Sequence, residues 1–213
     1  MITEKMLDSL REDISKKMSA KRFFHTAEVE KMAAYLGELY APDLISELRA
    51  AALLHDLTKE YPTKLQLSIC VEEKIELESE AAFAPKTLHA RTAAALIPKL
   101  YPDFATETVI GAVRWHTTGR EGMTMPEKLI YLADYIDMSR TFEDCVRLRE
   151  YFNSRDVRFM TAEEKDVHLT RTLIMSFDMT LRGLLEEGFP VSRDSVMARN
   201  ELVCALLSRG ERA

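Results

Sequence analysis

The stretch Leu48-Arg-Ala-Ala-Ala-Leu-Leu-His-Asp56 decides the fold that this sequence predicts. Its residues are mostly apolar on every side, which is typical of a buried helix, and the run ends in two polar side chains. Buried polar groups need partners. Successive helix positions lie about 100° apart, so His55 and Asp56 converge on one point only if something there binds both. A metal ion does that.

The composition favours an all-α protein. The chain has 213 residues, of which 46% are hydrophobic, and this is ample for a core. Glycine and proline occur only seven times each, whereas the helix-favouring residues Leu, Ala, Glu, Lys, Arg and Met are plentiful. The formal net charge of -6 argues against a nucleic acid or a membrane surface as partner, but it does not exclude a small positive pocket for phosphate.

Cysteine usage and the N-terminal residues lead us to expect a cytoplasmic protein. Cys70, Cys145 and Cys204 are far apart and odd in number, which is typical of reduced thiols in a reducing compartment. The first residues lack the apolar segment of a signal peptide, and no window approaches the roughly 20 apolar residues that span a bilayer. We therefore expect neither secretion nor membrane insertion.

Apolar residues at helical spacing predict the remaining elements. Segment 63–78 is ambiguous, because its apolar residues also alternate as in a strand, and helix is favoured. Residues 81–85 predict a loop, and Pro98 is expected to kink or end its helix. The predicted helices are 3–18, a helix with His25, Val29, Met32 and Leu36 on one face, the helix that ends at His55 and Asp56, 63–78, a helix from Thr87 through His89, one capped by Thr106 and ending at His116, one from the Thr124 capping box through Asp134, 161–188 and 192–210.

Four polar side chains are expected to share one site. His25, His55, Asp56 and Asp134 lie on apolar helix faces or at helix ends, and they offer the nitrogen and oxygen ligands that metals use in hydrolysis. Any one of them alone would more readily be a hydrogen-bonded core or capping residue. Together they favour a metal site, because a purely structural set would not need imidazoles beside Asp or Arg.

Several segments also carry a resemblance to a known family. The positions of His25, His55-Asp56 and Asp134 are similar to the H…HD…D signature of HD-domain phosphohydrolases. Over roughly residues 20–155 the chain resembles, more specifically, the YqeK-type symmetrical bis(5'-nucleosyl)-tetraphosphatases. The matching segments are Arg22-Phe-Phe-His25, Leu54-His55-Asp56-Leu-Thr-Lys59, Leu88-His89, His116-Thr-Thr-Gly-Arg120 and Tyr131-Leu-Ala-Asp134.

The resemblance implies a fold and a reaction. The fold is an HD-domain helical bundle over residues 1–155, with residues 156–213 as a C-terminal helical extension packed on the same domain. The reaction is hydrolysis of diadenosine tetraphosphate to two ADP by a water that a divalent metal activates. The expected cofactor is one or two ions of iron, with manganese or another divalent ion as the alternative. Assembly as a homodimer stays open.

The resemblance also implies roles for individual residues. The metal ligands are His25, His55, Asp56 and Asp134, and the catalytic residues are Asp56, His89 and His116. The expected substrate-binding residues are Arg22, His25, Asp56, Lys59, His89, His116, Thr117, Asp134 and Arg140. This chain has Asp137-Met-Ser before Arg140 where the family usually has Glu-Pro, and the departure bears on the placement of Arg140.

Other interpretations remain open at the level of sequence. Arg22 and Arg140 are compatible with solvated surface positions, and Lys59 with either solvent or a phosphate contact. His116 and Thr117 are compatible with simply closing a helix. The alternative functions are another HD-domain nucleotide phosphohydrolase or phosphodiesterase, and a non-catalytic helical interaction module with a vestigial metal site. His168 matches no motif, and we assign it to a packing helix.

Overall fold

The computed structural model describes residues 1–78 and 83–212, and these form ten α-helices without any β-strand. The all-α prediction is confirmed. Short 3₁₀ turns precede or join several of the helices. The helices are α1 (Glu4–Ser15), α2 (Ala20–Tyr40), α3 (Ile45–Leu54), α4 (Thr63–Glu72), α5 (Leu88–Leu100), α6 (Glu107–Trp115), α7 (Met125–Ile136), α8 (Glu143–Asn153), α9 (Ala162–Glu186) and α10 (Arg193–Leu207).

Helix α3 lies at the centre of the bundle. It packs against α1, α2, α6 and α7, and residues 50–54 have no exposed surface. Small residues let the neighbouring helices approach closely: a Cβ added at Gly37 of α2 would lie 3.0 Å from a methyl carbon of Leu48. The C-terminal end of α3, where His55 and Asp56 follow, is therefore in the interior of the bundle.

Side-chain caps define the starts of three helices, as the sequence predicts. The hydroxyl of Thr106 accepts a hydrogen bond from the Val109 N–H at 3.2 Å, and α6 then runs to His116 at its C-cap. Thr124 and Thr161 each form a capping box with the glutamate three residues later. These caps satisfy N–H groups that have no partner within the helix. The start of α7 in turn determines where Asp134 lies on its helix.

Two predicted segments differ in extent from the structure. Segment 63–78 is helical only to Glu72, because Lys74 takes a left-handed conformation with a φ of 54°. Helix α5 continues through Pro98 to Leu100, so the proline does not end it. A proline this near the end removes few hydrogen bonds from the helix. The predicted loop 81–85 includes residues 81 and 82, which lie outside the described residues, and Pro85–Thr87 form a 3₁₀ turn.

Helix α8 is absent from the predicted elements. Five of its eleven residues are charged, and only three are buried: Cys145, Leu148 and Phe152. These three lie at positions i, i+3 and i+7, so they form one narrow apolar stripe. Such a short pattern gives a weak signal in the sequence, and the helix is stabilised by packing against α7 and α9.

The C-terminal helices pack on the bundle. Helix α9 packs against α7 and α8, and α10 packs against α9. His168 of α9 is buried, with its Nε2 2.9 Å from the carbonyl oxygen of Phe152, in agreement with a packing role. The division of the chain at residue 155 stays a prediction. Within the described ranges, none of the helices combines the length and hydrophobicity that a bilayer span requires.

Gly119 occupies a position that excludes a side chain. Its φ is +62°, in the left-handed region, and an added Cβ would lie 2.6 Å from Cζ of Phe177 on α9. We expect Gly119→Ala to lower the free energy of unfolding by about 2–4 kcal/mol, through backbone strain and overpacking together. Chemical denaturation would measure this change.

The matched control for this substitution is Gly183→Ala. Gly183 lies inside α9, and an added Cβ would meet no atom within 4 Å. This variant is expected to stabilise the protein by about 0.5–1 kcal/mol, because alanine has less conformational freedom to lose on folding. Equal stabilities of Gly119→Ala and the wild type would contradict the close contact with Phe177.

Candidate metal centre

Four of the predicted ligands come together inside the bundle. His25 projects from α2, His55 and Asp56 follow α3, and Asp134 projects from α7, and all four side chains are buried. The Nε2 of His25 lies 2.9 Å from Oδ1 of Asp134, and the Nε2 of His55 lies 3.4 Å from Oδ2 of Asp56. The His55 nitrogen is also 3.8 Å from Oδ1 of Asp134. The structure thus gathers the predicted metal ligands at one point.

The backbone partner of His55 determines which of its ring nitrogens carries a hydrogen. Its Nδ1 lies 2.6 Å from the carbonyl oxygen of Ala52, which can only accept a hydrogen bond, so Nδ1 carries the proton. The Nε2 lone pair then faces the carboxylates of Asp56 and Asp134. This buried nitrogen has no hydrogen-bond partner among the described residues. Acceptors that face one another in a buried site are stabilised by a cation between them, and these residues therefore fit a divalent metal.

His89 and His116 form a second pair next to the first set. Their Nδ1 atoms lie 2.8 Å and 2.7 Å from the carbonyl oxygens of Lys86 and Val113, while their Nε2 atoms lie 3.0 Å apart. Burial lowers the pKa of both imidazoles. Both are therefore neutral, and two Nε2 lone pairs point toward the same small volume.

Asp56 lies between these two groups of imidazoles. Its Oδ2 faces His55, whereas its Oδ1 is 3.2 Å from Nε2 of His89 and 3.9 Å from Nε2 of His116. Burial acts to raise the pKa of Asp56, yet the pKa lies well below the ordinary value, and the Arg22 guanidinium is 2.7 Å from Oδ2. Asp56 is thus an ionised carboxylate with one oxygen on each side. Among the residues that the structure describes, two sets have the geometry to hold an ion: His25, His55 and Asp134, and His55, Asp56 and His116.

Cationic side chains reach the same carboxylates from the rim of the site. Arg22 Nη1 lies 2.7 Å from Oδ2 of Asp56, and Arg140 Nη2 lies 2.5 Å from Oδ1 of Asp134. About a quarter of each arginine side chain is exposed. The two arginines are therefore neither buried nor free on the surface. Each is partly exposed to solvent and also contacts a carboxylate of the centre. The interpretation as ordinary solvated arginines does not describe them.

Lys59 and Thr117 complete the predicted group. Lys59 Nζ is 3.1 Å from Nε2 of His89, and burial lowers the pKa of this lysine. The Thr117 hydroxyl lies 3.1 Å from Nε2 of His116 and 3.3 Å from Nε2 of His89. Each residue predicted to bind substrate thus lies at this centre, and their individual roles stay predictions.

Asp137 and Ser139 contact His25 and were not among the predicted site residues. The Ser139 hydroxyl is 2.9 Å from Nδ1 of His25, and Oδ2 of the fully buried Asp137 is 3.5 Å from the same atom. Burial lowers the pKa of His25, but hydrogen bonds to Asp134 and Asp137 outweigh it and raise the pKa to about 9. Carboxylates in this position orient a ligating imidazole. The signal in the sequence was Asp137 itself, three residues after Asp134.

Arg140 is held beside Asp134 by contacts of the turn that contains Asp137-Met-Ser. The arginine Nε donates to the carbonyl oxygen of Asp134 at 2.8 Å, and its backbone N–H donates to that of Asp137 at 3.3 Å. Arg149 of α8 also donates a hydrogen bond to the Asp137 carbonyl. The turn after α7 is thus held by Arg140 within it and by Arg149 of α8, and Arg140 lies at the centre.

The HD-domain family matches residues 22–139, which is more than half of the chain and contains His25, His55, Asp56 and Asp134. The chain belongs to the HD-domain family. The order of these residues and their convergence in the fold agree with the resemblance found in the sequence. The prediction of an HD-domain enzyme is confirmed.

Similar proteins extend the match beyond this domain. A protein of Bacillus subtilis (strain 168) named "Bis(5'-nucleosyl)-tetraphosphatase, symmetrical" is 29% identical over 190 residues, which are 89% of this chain and 94% of that protein. A protein of the same name from Halalkalibacterium halodurans is 29% identical over 87% of this chain and 91% of its own length. The chain thus resembles both relatives over nearly their whole lengths.

A solved structure shares the fold of this HD-domain protein. It is a crystal structure from Clostridium acetobutylicum, described as a "predicted HD superfamily hydrolase involved in NAD metabolism". The TM-score is 0.79 at 30% sequence identity, and the match covers 93% of this chain and 97% of the other. The common fold therefore includes the C-terminal helices as well as the centre.

Proposed function

We propose that this HD-domain enzyme hydrolyses diadenosine tetraphosphate symmetrically and releases two molecules of ADP. The observation that carries the proposal is that Arg22, Lys59 and Arg140 surround one buried cluster of imidazoles and carboxylates. Such a centre combines ligands for a divalent metal with cations for a polyphosphate. The names of the two relatives support the choice of dinucleotide.

The residues suited to hold the metal are His25, His55, Asp56 and Asp134. We infer one or two ions, with iron as the first expectation and manganese as the alternative, since both accept mixed nitrogen and oxygen ligands. Asp56 and His116 extend the set toward a second ion. When bound, such a metal supplies a nucleophile near neutral pH, because it lowers the pKa of water from ~16 to as low as ~7.

The other side chains act on the phosphates. Arg22 and Arg140 have planar guanidinium groups that can each hold two phosphate oxygens. His89 and His116 place Nε2 lone pairs beside Asp56, where they can accept a proton during hydrolysis, and the hydroxyl of Thr117 can donate a hydrogen bond to the departing diphosphate. Neutralising the charge that grows on this leaving group lowers the barrier to cleavage. The catalytic residues in this proposal are Asp56, His89 and His116.

The distribution of products tests which bond is cleaved. Attack on a phosphorus next to the central bridging oxygen releases ADP from both halves, so ADP is the expected sole product. An enzyme that attacked the phosphorus nearest one adenosine would instead release AMP and ATP. Chromatography of a reaction with iron-loaded or manganese-loaded enzyme would measure the ratio.

Metal-depleted enzyme from the same preparation is the control for this reaction. We expect it to be inactive and to regain activity when iron or manganese is restored. AMP with ATP as products would contradict the symmetrical reaction and would favour another HD-domain nucleotide hydrolase. Absence of cleavage with both metals would favour the vestigial site. The expected cytoplasmic location and the open question of a homodimer are separate from this test and stay predictions.

A further inference from the structure

A cavity of about 410 Å³ lies beside the metal centre and is not used by any step described above. One wall comes from residues 83–87, between α4 and α5. Another part of the lining comes from the end of α9 and the segment leading into α10, and it includes Leu184, Phe189 and Pro190. Thr117 and Thr118 also line the cavity. The cavity is therefore enclosed in part by the C-terminal helices.

Thr117 connects this cavity to the centre. It lines the cavity, and its hydroxyl is also 3.1 Å from Nε2 of His116 and 3.3 Å from Nε2 of His89. A molecule whose phosphates lie against these imidazoles would extend past Thr117 into the cavity. Because Thr117 belongs to both, the cavity adjoins the centre.

The lining of the cavity suits a flat, partly polar ring system. Phe83 and Phe189 both line the cavity, and Tyr135 contributes a third aromatic ring. Aromatic side chains bind nucleobases by stacking, and this interaction depends little on which base is bound. The polar part includes Glu78, whose Oε2 accepts from Arg91 Nη2 at 2.5 Å. A carboxylate can accept a hydrogen bond from the exocyclic amine of adenine.

We propose that this cavity seats the adenosine of one half of the dinucleotide, with Phe83 and Phe189 against the base. The inference rests on the proposed function and adds the position of the nucleoside to it. The volume lies in the range of small-molecule sites, which are mostly apolar with a few polar groups. The C-terminal helices then contribute directly to substrate binding, because they carry Phe189.

The test replaces Phe189 by alanine and measures binding of two probes to metal-loaded enzyme by calorimetry. ADP carries the nucleoside, whereas inorganic pyrophosphate carries only the phosphates. We expect Phe189→Ala to weaken ADP binding about tenfold or more, equivalent to about 1.4 kcal/mol, and to leave pyrophosphate binding unchanged. With diadenosine tetraphosphate the change should fall mainly on KM rather than on kcat.

Phe159→Ala is the matched control. Phe159 is also an exposed phenylalanine, but it lies in a turn between α8 and α9 and does not line the cavity. This variant should bind both probes as the wild type does. Thermal unfolding and metal content of all three proteins show whether folding or the centre has changed.

The outcomes separate this inference from the proposed function. If Phe189→Ala bound both probes equally more weakly, or bound both as the wild type does, adenosine would not lie in the cavity. Symmetrical cleavage by the wild type would be unaffected by either outcome. The placement would also be overturned if the wild type bound ADP no more tightly than pyrophosphate. The wild type could also produce AMP and ATP while Phe189→Ala loses affinity for ADP alone. That result would support the nucleoside site and contradict the proposed symmetrical reaction.

Discussion

Asp56→Ala is expected to remove the bound metal and to lower turnover of diadenosine tetraphosphate by at least about 10³-fold. Asp56 is a buried carboxylate with one oxygen toward His55 and the other toward His89, so its loss affects both sides of the centre. Alanine supplies neither the charge nor the ligand atom. Metal per protein chain, measured by mass spectrometry, and the rate of ADP formation should fall together.

Folding is expected to survive this substitution, since the helices around Asp56 are held by an extensive apolar core. The matched control is Asp156→Ala, which removes an exposed carboxylate that pairs with Arg158 away from the centre. It should retain metal and activity. Full metal content and wild-type turnover in Asp56→Ala would rule out both the ligand and the catalytic role.

Arg140→Ala and Arg22→Ala are expected to retain the metal but to lower kcat/KM by about 10²-fold or more. Each guanidinium contacts a carboxylate of the centre while remaining partly exposed, so it is placed to bind an incoming phosphate. Lysine at either position should restore only part of the activity, because an ammonium group cannot hold two oxygens in one plane. Steady-state kinetics alongside metal analysis would measure both effects.

Arg158→Ala is the control for the arginine variants, because Arg158 forms an exposed ion pair with Asp156 outside the centre. It should behave as the wild type. If Arg22→Ala and Arg140→Ala instead lost metal in proportion to activity, the arginines would act by orienting Asp56 and Asp134. Unchanged kinetics in both variants would exclude any role in binding phosphate.

The helices of this protein are largely predictable because their signals are local. The apolar residues of α3 and the capping residues Thr106, Thr124 and Thr161 act within a few positions of the chain. Helix α8 is the exception. Its three buried residues stabilise the helix only when they pack against α7 and α9. Neither of these neighbours can be inferred from the residues of α8.

The candidate centre was predictable to a similar degree. His25, His55, Asp56 and Asp134 are polar residues in apolar surroundings, and this contrast is visible in the sequence. Asp137 and Ser139 follow the end of α7 and resemble ordinary turn residues. Their contact with His25 depends on the packing of α7 against α2, which brings together positions more than 110 residues apart.

The sequence by itself determined the all-α class, the helix starts at capping residues and four polar side chains in apolar surroundings that the fold brings together. Each of these follows from local spacing, hydrophobic contrast or the chemistry of single residues. Only the tertiary structure decided that Asp56 lies between two groups of imidazoles, that Asp137 and Ser139 contact His25, and that Phe83 and Phe189 face one cavity. Such distances depend on how helices pack, because residues remote in the chain meet only when the core is formed.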